Sequence, residues 1–88
     1  MYFVYFIRSE VDGSYYIGYT TNIRQRLKDH NQGKTKSIKH KIPFKLVYIE
    51  IYCNKTITIK REIELKNNSF KKQEIIDRLN IMAPSSSG

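Results

Sequence analysis

Residues 2–20 read Tyr2-Phe3-Val4-Tyr5-Phe6-Ile7-Arg8-Ser9-Glu10-Val11-Asp12-Gly13-Ser14-Tyr15-Tyr16-Ile17-Gly18-Tyr19-Thr20: two aromatic and β-branched runs divided by Asp-Gly. Such runs favour strands, and Asp-Gly between them signals an antiparallel hairpin. If Asp12 and Gly13 form a two-residue turn, Ile7 faces Gly18 and Tyr5 faces Thr20. Tyr5 and Tyr16 then share a face but stand four residues apart, roughly 13 Å. A wider loop or a shift of two residues brings them closer, and the sequence does not choose between these registers. Gly18 removes a side chain where substrate or a helix approaches, or tolerates a bulge.

Working outward, Asn22 offers an N-cap with Gln25 placed for a capping box, and Ile23, Leu27 and His30 follow at i, i+4 and i+7. The spacing predicts a helix over 22–32 ended by Gly33, with Ile23 and Leu27 on the sheet and Arg26 one turn from His30. Residues 34–45 carry Lys34, Lys36, Lys39, Lys41 and Lys45 with His40 and read as a basic loop. Lys45 to Tyr52 reads as a third strand, central in the sheet. Asn54 to Asn67 reads as a helix despite Thr56-Ile57-Thr58-Ile59, with Glu62 inside its apolar sector and Glu64 outside. Ser69 caps a last helix that packs Ile75, Ile76 and Leu79 inward. The domain is expected over 1–82, with Ala83 to Gly88 as a Pro/Ser/Gly tail.

The 88 residues allow one domain with one core. A net charge of +8 and a pI near 9.7 point to a polyanion as partner, because neutralising phosphates releases condensed counterions. Nothing approaches the ~18 consecutive apolar residues of a membrane span. Cys53 is the lone cysteine, which excludes an internal disulfide and reads as a buried inert thiol, with the cytoplasm as the expected compartment.

Tyr16-Ile17-Gly18, the helix stretch Arg26-Leu27-Lys28-Asp29-His30-Asn31, the segment Pro43-Phe44-Lys45-Leu46-Val47-Tyr48 and the pair Arg61-Glu62 stand in a recognisable order. Together they resemble the GIY-YIG nuclease superfamily, in particular its small single-domain members akin to the N-terminal nuclease domain of excinucleases. Of the first name-giving triplet only Tyr5 is kept, in Phe3-Val4-Tyr5; the second matches in full. The resemblance implies an α/β fold, a three-stranded antiparallel sheet flanked by helices. It implies an endonuclease that hydrolyses phosphodiesters, DNA above all and in a structure-selective way, with one divalent ion, Mg²⁺ or Mn²⁺, on Glu62. The catalytic set it implies is Tyr5, Tyr16, Arg26, His30 and Glu62, while the five lysines of the loop grip the backbone. The chain would act as a monomer or weak dimer, with a partner protein or a dimer supplying the choice of site. A supporting Asn is usual in the family; Asn67, Asn68 and Asn80 are the candidates.

Each type fits its task. Hydrolysis needs an activated water, a cation for the charge growing on the phosphoryl oxygens, and a ligand for a metal. Magnesium accepts a single carboxylate because it keeps several waters. A tyrosine phenol acts as a base only where a cation favours its phenolate. An arginine presents a permanent planar fork to phosphate, and a histidine relays a proton or donates to phosphate. Taken singly, each has a plainer reading: tyrosines that pack the sheet, an arginine in a surface ion pair, a helix-end histidine, a Glu62 paired with Arg26 or Arg61. A nucleic-acid-binding module of the same fold without catalysis is the competing function.

Overall fold

A computed structural model describes residues 1–82; the expected tail over 83–88 lies outside the described residues. The order is β1 (Tyr2–Ser9), β2 (Tyr15–Thr20), α1 (Ile23–Asn31), a 3₁₀ segment (Lys36–Lys41), β3 (Phe44–Tyr52), α2 (Lys55–Asn67) and α3 (Ser69–Met82). The three strands form an antiparallel sheet ordered β2-β1-β3. The first strand is therefore the central one, and β3 lies at an edge, contrary to the reading of Lys45 to Tyr52 as central. The cause is packing: Val4, Tyr5, Phe6 and Ile7 are all buried, whereas Leu46, Ile49 and Ile51 on β3 are exposed.

The hairpin resolves the open register. Tyr5 pairs with Gly18 and Ile7 with Tyr16, two residues away from the register of a two-residue turn. Glu10 to Gly13 instead form a four-residue loop, in which Gly13 alone takes a positive φ, 74°. The loop is closed by backbone hydrogen bonds between Ser9 and Ser14 and between Gly13 and Ser9. Ser9 Oγ accepts the Val11 N–H, and Asp12 Oδ1 accepts from both the N–H and hydroxyl of Ser14. These side-chain acceptors stabilise a wider turn than Asp-Gly alone suggests.

Side-chain alternation divides the sheet between two layers. Val4, Phe6 and Ile17 meet Leu65, Ile75 and Ile76 of α2 and α3, with Phe6 edge-on to Tyr48 at 5.3 Å between centroids. The opposite face presents Tyr5, Ile7 and Phe44 to Ile23 and Leu27 of α1 and to Ile38 and Ile42. This second layer carries Tyr5 and the α1 residues of the candidate site, while Glu62 comes from α2.

Asn22 caps α1 by accepting the Gln25 N–H at 3.1 Å, but Gln25 does not close a capping box. Its side chain runs forward to Asp29, and the Asn22 N–H is satisfied by Thr20 Oγ1. Gly33, at φ 79°, ends the helix with bonds from its own N–H to His30 and from Lys34 to Asp29, the paired closure of a Schellman motif. The expected basic loop contains an element of its own, the 3₁₀ turn. At the start of α3 the cap is Asn68, whose Oδ1 accepts from Phe70 and Lys71; the expected cap, Ser69, is already helical. Cys53 is exposed, because it lies in the turn just before the Asn54 cap and not in the core.

Candidate active site

The site begins at the centre of the sheet. Opposite Gly18 on β2, the ring of Tyr5 lies across the neighbouring strand. A Cβ at position 18 would overlap the Tyr5 hydroxyl and stand 2.6 Å from Cζ. Gly18 thus has its steric reason in the tyrosine itself.

Behind Tyr5 sits His30, on the last full turn of α1 and with no exposed surface. The Tyr5 hydroxyl and His30 Nε2 share a hydrogen bond of 2.8 Å, and His30 Nδ1 shares one of 2.9 Å with Thr35 Oγ1. Rings of Tyr5, Tyr16 and Phe44 surround the imidazole at 5.8, 5.1 and 6.4 Å between centroids. Enclosed in this way, His30 presents no surface on which a phosphate could rest. Burial, and then the charge of Arg26, push its pKa down, so the imidazole is neutral near pH 7.

Arg26, one turn earlier, is half-buried beside Tyr5 and makes no ion pair among the described residues. Its surroundings act on Tyr5 in opposite directions. Burial raises the phenol pKa, Arg26 lowers it, and Tyr16 and the Glu62 carboxylate raise it, with a net rise. The resting Tyr5 is therefore a neutral phenol hydrogen-bonded to a neutral imidazole.

Glu62 comes from α2, which packs along β2 and the opposite face of β1. Its side chain is only 14% exposed, its Oε2 lies 3.7 Å from Lys66 Nζ, and that ammonium stands 5.6 Å above the Tyr16 ring. Lys66 thus links the carboxylate to the motif tyrosine. It escaped the sequence reading, although its i+4 spacing from Glu62 was a usable signal. Glu62 accepts no hydrogen bond from another side chain among the described residues, and no cluster of three or more metal-ligating groups occurs there. This donor set suits a hydrated hard cation that takes one carboxylate and several waters, and does not suit a cation needing a protein cage.

The lysines differ among themselves. Lys34 pairs with Asp29, Lys41 with Asp12 and Lys45 with Glu10, whereas Lys36 and Lys39 make no ion pair among the described residues. The segment they occupy is fastened to the hairpin loop. The Ser9 hydroxyl donates to Lys41 O, and Lys41 Nζ donates to Ser14. Asn31 supplies a further clamp that sequence reasoning missed: its Nδ2 donates to Phe44 O at 3.1 Å, and its Oδ1 accepts the Phe44 N–H at 2.7 Å. That amide ties the end of α1 to the start of β3 and so holds His30 in place. The expected supporting Asn does not appear at Asn68, which caps α3.

The description "GIY-YIG catalytic domain" matches residues 1–74. The chain belongs to the GIY-YIG family. Curated relatives include a UPF0213 protein of Streptococcus pneumoniae serotype 4, 42% identical over 64 residues; the match covers 72% of this chain but only 65% of that relative's length. UPF0213 protein SH2523 of Staphylococcus haemolyticus is 39% identical over 74 residues, covering 83% of this chain and 87% of its own. The solution NMR structure of the UPF0213 protein BH0048 from Bacillus halodurans superposes with a TM-score of 0.55 at 36% identity. That superposition covers 90% of this chain and 85% of the other. The domain is thus of nuclease type, with the three-stranded sheet and flanking helices of its structural neighbour. Among the described residues no helix is long and apolar enough to cross a membrane.

Proposed function

We propose that the chain is a small cytoplasmic endonuclease that hydrolyses phosphodiester bonds of nucleic acid, DNA in the first place, using one divalent ion held by Glu62. The observation that carries this reading is the buried 2.8 Å bond between Tyr5 and His30 beside an arginine that makes no ion pair among the described residues. A phenol can take a proton from water only if its own proton has an acceptor, and the neutral Nε2 is that acceptor. Arg26 would meet the charge growing on the phosphoryl oxygens, and Tyr16, above which Lys66 stands, would orient water or phosphate. When bound, magnesium, or manganese in its place, would supply positive charge at the scissile phosphate and its leaving oxygen. Lys36 and Lys39, with Lys34, Lys41 and Lys45 nearby, would follow the backbone without reading bases, so selectivity would rest on substrate structure. A second copy or a targeting partner would then supply choice of site.

The test is cleavage of a panel of duplex, flapped, single-stranded and RNA substrates with Mg²⁺ and Mn²⁺. Cleavage is expected from the intact chain and lost in Glu62→Ala, while binding at low salt persists. Failure of the intact chain to cut any member, with binding retained, would establish the binding-module reading instead.

A further inference from the structure

Thr35 is the N-cap residue of the 3₁₀ segment, a position where a threonine hydroxyl ordinarily accepts a backbone N–H, yet its side chain makes no cap hydrogen bond. The hydroxyl is directed instead to His30 Nδ1, 2.9 Å away. Thr35 is half-exposed while His30 has no exposed surface, so this hydroxyl is where the buried imidazole meets the edge of the solvent.

A neutral imidazole carries one N–H, and its two tautomers present opposite chemistry to Tyr5. With the proton on Nδ1, Thr35 accepts and the bare Nε2 accepts from the phenol. With the proton on Nε2, His30 donates to the Tyr5 oxygen and blocks the discharge of its proton. A phenol is a stronger proton donor than an aliphatic hydroxyl, which favours Tyr5 as donor and Thr35 as acceptor.

We propose that Thr35 is a positioning residue that accepts the Nδ1–H of His30 and thereby keeps Nε2 open to the Tyr5 proton. Its catalytic consequence rests on the nuclease reading. In the hydrolytic step the water oxygen bonds to phosphorus and gives its proton to Tyr5 Oη, while the Tyr5 proton moves to Nε2. The bond from phosphorus to the leaving oxygen breaks with its electron pair, and that oxygen takes a proton from solvent. The imidazolium keeps its Nδ1–H on Thr35 until it returns the extra proton to solvent. The titratable and charged groups around the ring are Tyr5 of β1, Tyr16 of β2, and Arg26 and Asp29 of α1.

The experiment uses the full chain labelled with ¹⁵N, with His30 signals separated from those of His40 by His40→Gln. At neutral pH the intact chain is expected to show a protonated Nδ1 and a bare Nε2. Thr35→Val should shift the ring toward the other tautomer and lower kcat at least about tenfold with KM unchanged. Thr35→Ser should restore both. A bare Nδ1 in the intact chain overturns the proposal, as does a Thr35→Val variant whose kcat or tautomer is unchanged. If Thr35→Val does not fold, the intact spectrum and Thr35→Ser decide. A chain that cuts nothing but shows Nδ1 protonated in a Thr35-dependent way refutes the nuclease reading while upholding the tautomer assignment.

Discussion

Two groups of two tyrosines, one arginine and one glutamate stand on this small sheet, and they have opposite fates. In the first, Tyr48 and Tyr52 donate to the two oxygens of Glu50 at 2.6 and 2.7 Å. Arg61 forks onto the same carboxylate at 2.8 and 3.0 Å and reaches Glu64 as well. In the second, Tyr5, Tyr16, Arg26 and Glu62 share no such closure: among the described residues the arginine has no acid, and the carboxylate has one lysine at 3.7 Å. The comparison teaches that residue types do not make a site. The saturated cluster has its hydrogen-bonding capacity spent on holding the fold together, whereas the other leaves capacity open beside the buried His30. The plainer reading of Glu62, as a partner of Arg26 or Arg61, is not what the described residues show: Arg61 is taken by Glu50 and Glu64, Arg26 has no ion pair, and Glu62 stands beside Lys66.

The sharpest way to break the contrast is to remove each acid in turn. Glu62→Ala should lower metal-dependent cleavage at least about a thousandfold, near ~4 kcal/mol of barrier, and leave the thermal midpoint unchanged. A midpoint that falls instead would class Glu62 with the structural cluster. Tyr5→Phe comes next, with a loss on the order of a hundredfold or more in single-turnover rate and retained binding. Tyr48→Phe should cost about 1 kcal/mol in denaturant titration and leave the rate alone.

Glu50 tests the other side. Burial alone would raise its carboxyl, but the Arg61 fork and both tyrosine hydroxyls outweigh it and hold it at about 2. A depressed pKa contributes stability that is present above the unfolded value of 4.5 and is lost as pH falls through about 2. That amounts to about 3 kcal/mol, absent from Glu50→Gln, and acid unfolding followed by circular dichroism measures it. At alkaline pH, Tyr48, pushed up to about 12 by burial and by its bond to Glu50, loses its contribution as pH rises past the ordinary phenol value. The smallest effect is expected at Lys36→Ala and Lys39→Ala, each reducing the salt slope of DNA binding by about one while leaving the thermal midpoint alone.

Much of this was legible in the sequence because it depends on neighbours along the chain. Asn54, read as the first helical residue, is the cap of α2, but the strands, the Asn22 cap, the Gly33 stop and the inward face of Glu62 all follow from spacing within a few residues. The hairpin register did not, since it turns on Ser9 and Asp12 side chains choosing a wider loop. The edge position of β3, the Asn31 clamp to Phe44, the Arg61 fork to Glu50 and the Lys41 tie to the hairpin join positions 11 or more residues apart, and no local period encodes such pairings. Among the site residues, the ordered resemblance pointed to Tyr5, Arg26 and His30, but the burial of His30 and the use of Thr35 emerge only once α1 and the 3₁₀ segment are packed together.

The phenol that lies across Gly18 makes those two positions a single steric unit split between strands. On the proposed chemistry, a descendant that abandoned it could shed the ring and fill the vacated space from the other side, whereas an active one would keep both halves. Paired replacement at 5 and 18, large-to-small against small-to-large, is therefore the trace that inactive members of such a lineage would carry.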